Sequence, residues 1–389
     1  MQPRELRIAL FSGNYNYVLD GANKALNQLV GYLLSQGAQV RIYSPTVENP
    51  AFPATGEIVH VPSFKVPTRD EYRIPMALTP RLRRDLANFD PNVVHVSSPD
   101  IVAHRVVTWA RARNIPIVAS VHTRFDTYLA YYNLEPFEPL VRMIMRRFYR
   151  RCDALLVPAE STAAILRAAR MNRDISIWSR GVDRVQFNPG RRDMEWRRSH
   201  GIADDEEVIA FLGRVVMEKG LDEFADAIDA LAARGVKHHV LVIGDGPARK
   251  WFQDRLPDGV FIGHQIGEDL GRVLASADIF LNPSVTEAFG NVTLEAMASA
   301  LPVVAAVATG ATSLVVDGVT GILVDPGDTD GYADALEIYA RDLDLRARHG
   351  AAGLAYAESQ DWDRINAVVE KVYERVIKRR RRLAAMRSR

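Results

Sequence analysis

The feature that most constrains this chain is an alternation that runs from one end to the other. Short, nearly continuous apolar runs, many of them β-branched, are separated by stretches with helical periodicity. Runs at 6–12, 39–44, 93–97, 115–121, 154–158 and 175–178 read as strands, with helices over 21–36 and 99–113. Strands that are apolar on both faces must be covered on both faces, and strands alternating with helices pair in parallel. The pattern breaks at Asn188-Pro189-Gly190, passes a charged helical piece at 194–200 and an acidic turn at 204–207, then resumes. Further runs lie at 208–212, 240–243, 259–262, 279–282, 302–306 and 321–324. The expected class is therefore α/β, with two doubly wound parallel-sheet domains at 1–187 and 206–360. Residues 188–205 are expected to link them. Residues 361–389 are expected to be helical, crossing back toward the first domain.

Composition removes several alternatives. Cys152 is the only cysteine, so neither an internal disulfide nor a Cys-rich zinc site can form. No stretch of about 20 apolar residues exists to span a bilayer. Met1 to Glu5 run straight into a strand without an apolar leader, which suits the cytoplasm. Basic and acidic residues nearly balance, 49 against 48, net +1. Eight of the basic residues fall within 375–389, which holds no acid, so the rest of the chain is net negative. That profile argues against nucleic acid, whose binders carry charge on a folded face. It suits a tail on an anionic membrane surface, where each basic residue is worth about 1 kcal/mol. A solvated helix end explains the tail equally well.

In open parallel sheets ligands bind beyond the carboxyl ends of the strands, so residues that follow strands matter most. Strand 208–212 runs into Gly213 and Arg214, and Lys219 precedes a helix. Two cations beside a helix start can grip a diphosphate. Alone, they read as readily as surface residues in a turn. The strand at 240–243 runs into Gly244-Asp245-Gly246, a tight turn that is a weak signal by itself. The strongest segment is Asn282-Pro283-Ser284-Val285-Thr286-Glu287-Ala288-Phe289-Gly290-Asn291-Val292-Thr293-Leu294-Glu295. Glu287 falls in a loop and Glu295 one turn into a helix. Gly290 permits close approach, and the first-turn amides of Asn291, Val292 and Thr293 form an anion cradle. Isolated glutamates are usually solvated; this strand–loop–helix setting favours sugar or ribose hydroxyls.

This segment resembles the Glu-x7-Glu signature of retaining glycosyltransferases of family 4, which have the GT-B fold of two Rossmann-like domains facing a central cleft. Gly213-Arg214 with Lys219, Gly244-Asp245-Gly246 and the Gly318 to Gly321 turn after Asp317 are similar to that family as well. In the first half, His122 after a strand, the 157–161 segment and Arg180-Gly181-Val182-Asp183 also resemble it. The resemblance implies that Arg214 and Lys219 hold the donor diphosphate in place of a metal, so no metal or other cofactor is implied. It places Glu287 beside the donor sugar, Glu295 on the ribose, and Phe289, Gly290, Asn291 and Val292 along sugar and phosphates. His122 would contact the transferred sugar; taken alone, it reads also as a core histidine. Where many members have two adjacent glycines, this chain has Asp20-Gly21-Ala22, so only Gly21 offers its backbone. Asn14, Tyr15, Asn16 and Tyr17 read as acceptor contact or as packing.

For the acceptor, 71–75, 122–124 and 128–132 resemble the lipid-glycosylating subgroup of sulfoquinovosyl-diacylglycerol synthases and related mannosyltransferases. Residues 137–151 then set Leu140, Val141, Ile144 and Phe148 among Arg142, Arg146, Arg147, Arg150 and Arg151. That is a basic amphipathic helix suited to anionic lipid, or a domain helix with an arginine-rich outer face. The expectation is an enzyme moving a hexose, from a UDP-hexose or next a GDP-mannose donor, to a diacylglycerol- or ceramide-type hydroxyl with an α-linkage. It would act on the cytoplasmic face of the inner membrane. The rivals are a glycosyltransferase of polysaccharide or oligosaccharide assembly with a soluble acceptor, and a nucleotide-sugar-binding protein without catalysis. A nicotinamide dehydrogenase would want a Gly-x-Gly-x-x-Gly turn, which Ser12-Gly13-Asn14-Tyr15-Asn16-Tyr17 does not supply.

Overall fold

A computed structural model describes residues 3–18, 20–66, 69–122 and 135–387. The chain divides into two compact units, Met1–Arg180 with Trp362–Arg389, and Gly181–Asp361.

The first unit is built on a parallel sheet of seven strands. These are β1 (Arg7–Phe11), β2 (Gln39–Ser44), β3 (Glu57–His60), β6 (Val93–Val96), β7 (Ile117–Ser120), β8 (Ala154–Val157) and β9 (Ile175–Ile177), in the order β3-β2-β1-β6-β7-β8-β9. A separate antiparallel pair, β4 (Ser63–Val66) and β5 (Arg69–Pro75), lies between β3 and β6 in sequence. Alternate strand residues serve two cores, as a period of two requires. Ala9 and Phe11 of β1 face the helices Pro80–Phe89, Ile101–Ala112, Glu138–Tyr149 and Glu160–Ala168. Ile8 and Leu10 face the helices Gly21–Ser35 and Trp362–Arg387. The last helix thus supplies Val369, Val372, Tyr373 and Val376 to the core that Ile8 and Leu10 face.

The second unit repeats the scheme. Its six parallel strands are β10 (Val208–Leu212), β11 (His239–Ile243), β12 (Val260–Gly263), β13 (Ile279–Asn282), β14 (Val303–Ala306) and β15 (Gly321–Val324), ordered β12-β11-β10-β13-β14-β15. Strand order reverses between β10 and β13, and at such a switch the loops leave in opposite directions and open a crevice.

The expected linker needs correcting. Residues 188–205 are part of the second unit, because they carry its buried charge cluster. The helix Met194–Ser199 is capped by Asp193, whose side chain accepts from the Trp196 amide. Arg197, fully buried, donates to Asp278 at 2.8 Å and to the Ser276 carbonyl at 2.9 Å. Arg192 takes the other Asp278 oxygen at 2.6 Å. The unit boundary therefore falls at Arg180, not at 187.

Candidate active site

The topological switch of the second unit collects most of the residues singled out in the sequence. Beyond β10 come Gly213 and the exposed Arg214, then a 3-10 turn, Met217–Lys219, and the helix Leu221–Ala233. Beyond β13 comes the 283–290 loop, then the helix Asn291–Ala298. The Thr286 hydroxyl donates to the Glu218 carbonyl at 3.1 Å, tying the two loops together. There Lys219 Nζ donates to Glu287 Oε1 at 2.9 Å, with the two side chains 27% and 12% exposed.

Backbone geometry explains the glycines. At Gly244 a side chain would put its Cβ 1.9 Å from the Gly213 carbonyl oxygen, so the loops after β10 and β11 can touch only without one. Gly290 takes φ +93°, a left-handed conformation that glycine adopts without strain, and opens the helix at Asn291. Having no side chain, Gly290 cannot cap the helix, which leaves first-turn amides available to an anion. Asn282 fixes that helix to its strand by donating to Thr293 Oγ1 at 3.0 Å. Phe289 is buried under the loop, while Asn291, Val292 and Glu295 are half-buried. Gly318 and Gly321 form the expected turn, the Gly318 amide donating to the Gly321 carbonyl at 2.9 Å.

The remaining candidates, Gly21 and His122, belong to the first unit. Gly21 opens the helix Gly21–Ser35, but Asp20 already caps it, accepting from the Asn23 amide at 2.8 Å. The backbone expected of Gly21 thus has a carboxylate beside it, and burial raises the pKa of that group. The aromatic loop before it resolves as packing. Tyr15 is fully buried and donates to the Thr55 carbonyl at 2.7 Å; Tyr17 donates to the Gly13 carbonyl at 2.6 Å.

His122 follows β7 and has partners on both ring nitrogens: Ser120 Oγ at 2.8 Å from Nε2, and Arg180 Nη2 at 3.0 Å from Nδ1. Trp178 packs edge-on at 5.6 Å and also lies under the Arg180 guanidinium. Desolvation first, then the Arg180 charge, holds the His122 pKa well below its usual range. Arg180 is the functional candidate that sequence reading missed. Its place in an Arg-Gly-Val-Asp segment was visible, its burial beside His122 was not.

The proposed acceptor motifs fare unevenly. Residues 123–132 of those motifs lie outside the described residues, and 71–75 form part of β5. The basic helix exists as Glu138–Tyr149, but two of its expected lipid-facing residues point inward. Phe148 is fully buried and Val141 packs against the core, because Val141, Met145 and Phe148 form the helix's core-facing stripe. Phe137, Leu140, Met143 and Ile144 are the exposed apolar residues instead. Arg142, Arg146, Arg147 and Arg150 line an open groove with Met143 and Ala169. The basic tail is partly spent within the fold: Arg375 and Arg379 pair with Asp174, and Arg380 with Asp153. Among the described residues, no helix is long and apolar enough to cross a membrane.

Two α/β units, one with a cation–carboxylate pair and an uncapped helix at its switch point, present a place where an anionic ligand can bind. Comparison with known proteins is more specific. Residues 206–342 match the family described as "Glycosyl transferases group 1", and residues 19–186 match "Glycosyltransferase Family 4". The chain is 30% identical over 369 residues to the sulfoquinovosyl transferase SQD2 of Arabidopsis thaliana, covering 93% of this chain and 71% of that protein. It is 30% identical over 385 residues to a GDP-mannose-dependent alpha-mannosyltransferase of Mycolicibacterium smegmatis, covering 98% and 100%. Among solved structures, the sucrose-phosphate synthase of Thermosynechococcus elongatus superposes with a TM-score of 0.76 at 18% identity, over 96% of this chain and 99% of that one. The chain belongs to the family 4 glycosyltransferases and has the GT-B fold.

Proposed function

We propose that this glycosyltransferase moves a hexose from a nucleotide-diphosphate sugar to a membrane lipid hydroxyl, with retention and without a metal. The observation that carries the reading is the Lys219–Glu287 pair, set at the β10/β13 switch beside an uncapped helix start. In this reading Arg214 and Lys219 neutralise the diphosphate and stabilise it as it leaves. Glu287 and Glu295 accept hydrogen bonds from the sugar and the ribose. Backbone from Phe289 to Val292 lines the phosphates, and His122 borders the transferred sugar. The departing phosphate takes the acceptor proton on the same face, and catalysis rests on positioning and electrostatics.

The GDP-mannose dependence of the mycobacterial relative supports a sugar nucleotide as donor. UDP-hexose stays the favoured donor and GDP-mannose the next. A diacylglycerol- or ceramide-type acceptor is supported by the apolar and arginine-rich face of the helix Glu138–Tyr149, which suits an anionic bilayer surface. The test is to incubate the protein with labelled nucleotide sugars and a total lipid extract, with and without EDTA, and to identify the product by mass and anomeric configuration. An α-glycolipid made equally well in EDTA is expected. Transfer only to soluble saccharides would overturn the acceptor. Calorimetry with no uptake of any UDP-, GDP- or ADP-linked ligand would overturn the whole reading.

A further inference from the structure

His122 ends a chain of buried hydrogen bonds that runs across the first unit to its last helix. Arg180 Nη2 lies 3.0 Å from His122 Nδ1, and His122 Nε2 lies 2.8 Å from Ser120 Oγ. Ser120 Oγ lies 2.9 Å from His95 Nε2, and His95 Nδ1 lies 2.5 Å from the Tyr373 hydroxyl. Ser120, His95, Arg180 and Tyr373 are all buried.

The direction of donation is fixed at the His122 end of the chain. A guanidinium has no lone pair to offer, so Arg180 donates and His122 Nδ1 accepts. The ring proton of a neutral His122 is therefore on Nε2 and goes to Ser120. The Ser120 hydroxyl can then donate to His95 Nε2, which leaves the His95 proton on Nδ1, toward Tyr373.

We propose that Arg180, Ser120, His95 and Tyr373 are positioning residues that lock His122 as its neutral Nε2–H tautomer in one ring orientation. The sugar then meets a ring that neither gains nor gives up a proton during transfer. This inference rests on the reading that His122 borders the transferred sugar.

Among the described residues, the charged and titratable groups that act on His122 disfavour its cation. Arg180 and His95 both lower its pKa, behind desolvation. Burial drives His95 itself down to about 3 and pushes the Tyr373 phenol up. Burial also pulls Arg180 down to about 10, and Asp20 counters this by favouring its charge. Trp178 holds the arrangement from below, donating from Nε1 to Asn366 on the same final helix at 3.1 Å.

The test uses the full chain labelled with 15N-histidine, with the His122 signals identified by their loss in His122→Gln. From pH ~5.5 to ~8.5, across the ordinary histidine range, Nδ1 should keep the shift of a bare nitrogen and Nε2 that of an N–H. Arg180→Met should let Nδ1 take up a proton at the acid end. Its pH–rate curve should gain an acid limb falling about tenfold per pH unit, as for one essential deprotonated group. Arg180→Lys should restore the flat profile. A wild-type His122 that titrates near its ordinary value, or that carries its proton on Nδ1, overturns the lock. So does an Arg180→Met spectrum identical to wild type. If Arg180→Met does not fold, the wild-type spectrum decides alone. Full activity in His122→Gln with the expected wild-type spectrum would remove the sugar contact and leave the tautomer lock standing.

Discussion

The Lys219–Glu287 pair lets a catalytic role be separated from a structural one. Its two groups are 2.9 Å apart, but Lys219 stays 27% exposed. A pair open to water on one side falls between an exposed and a buried one, so its loss costs about 1–2 kcal/mol of folding. In a unit of this size each kcal/mol is worth about 2–4 °C in Tm. The expected catalytic loss is much larger. Removing one preorganised charge from a developing anion costs about 100- to 1,000-fold in kcat. Lys219→Ala should therefore melt within several degrees of wild type yet lose about two to three decades of turnover. Glu287→Gln should behave alike, because it keeps the side chain's shape and loses its charge. The double variant should be no worse than the poorer single one, as for residues that act as a unit. The assay is release of the nucleoside diphosphate, followed alongside thermal unfolding. Turnover within about threefold of wild type in Lys219→Ala would refute the donor-site assignment, since no interaction with the leaving diphosphate would then be missing.

Three further outcomes are expected. Leu140→Glu with Met143→Glu should weaken sedimentation with anionic vesicles but spare transfer to a short-chain soluble acceptor; unchanged sedimentation would remove the helix Glu138–Tyr149 from the membrane reading. His95, neutral when folded with a pKa near 3 against an ordinary 6.5, favours folding fully above pH 6.5 and progressively less as pH falls toward 3. His95→Asn should therefore flatten acid destabilisation in that window by up to about 1.4 kcal/mol per pH unit; an unaltered slope in denaturant titrations would contradict this. Arg197→Met should cost about 3–5 kcal/mol, because it leaves the buried Asp278 short of a partner; a loss under about 1 kcal/mol would show the cluster to be dispensable.

Much of the architecture was legible because parallel strands carry an unmistakable code. The runs at 39–44, 208–212, 279–282 and 321–324 match β2, β10, β13 and β15 in extent. The hairpin of β4 and β5 was not legible. Ser63, Lys65, Arg69, Asp70, Glu71 and Arg73 dilute its apolar content, and Pro75 ends it. The loops after β10, β11 and β13 were legible as candidates because glycine and charge placed directly after a buried strand contribute little to packing. Arg180, Ser120 and His95 went unread as a group for a physical reason. Their partnership crosses two adjacent strands and a distant helix, and no local period encodes it. The same limit turned Phe148 outward in the sequence reading. A helix with a core stripe and an exposed apolar stripe has no single polar side to betray its orientation.

The final helix also orders events during synthesis. Because Trp362–Arg387 completes a core begun by Leu6, Ile8 and Leu10, the ribosome delivers the last piece of the first unit only after all of Gly181–Asp361 has emerged. The nascent first sheet must wait with Leu26, Leu29, Val30 and Leu33 uncovered, while the second unit, contiguous in sequence, is free to finish first. A chain that stalls before residue 362 would hold one mature body and one open apolar face, a natural client for chaperones.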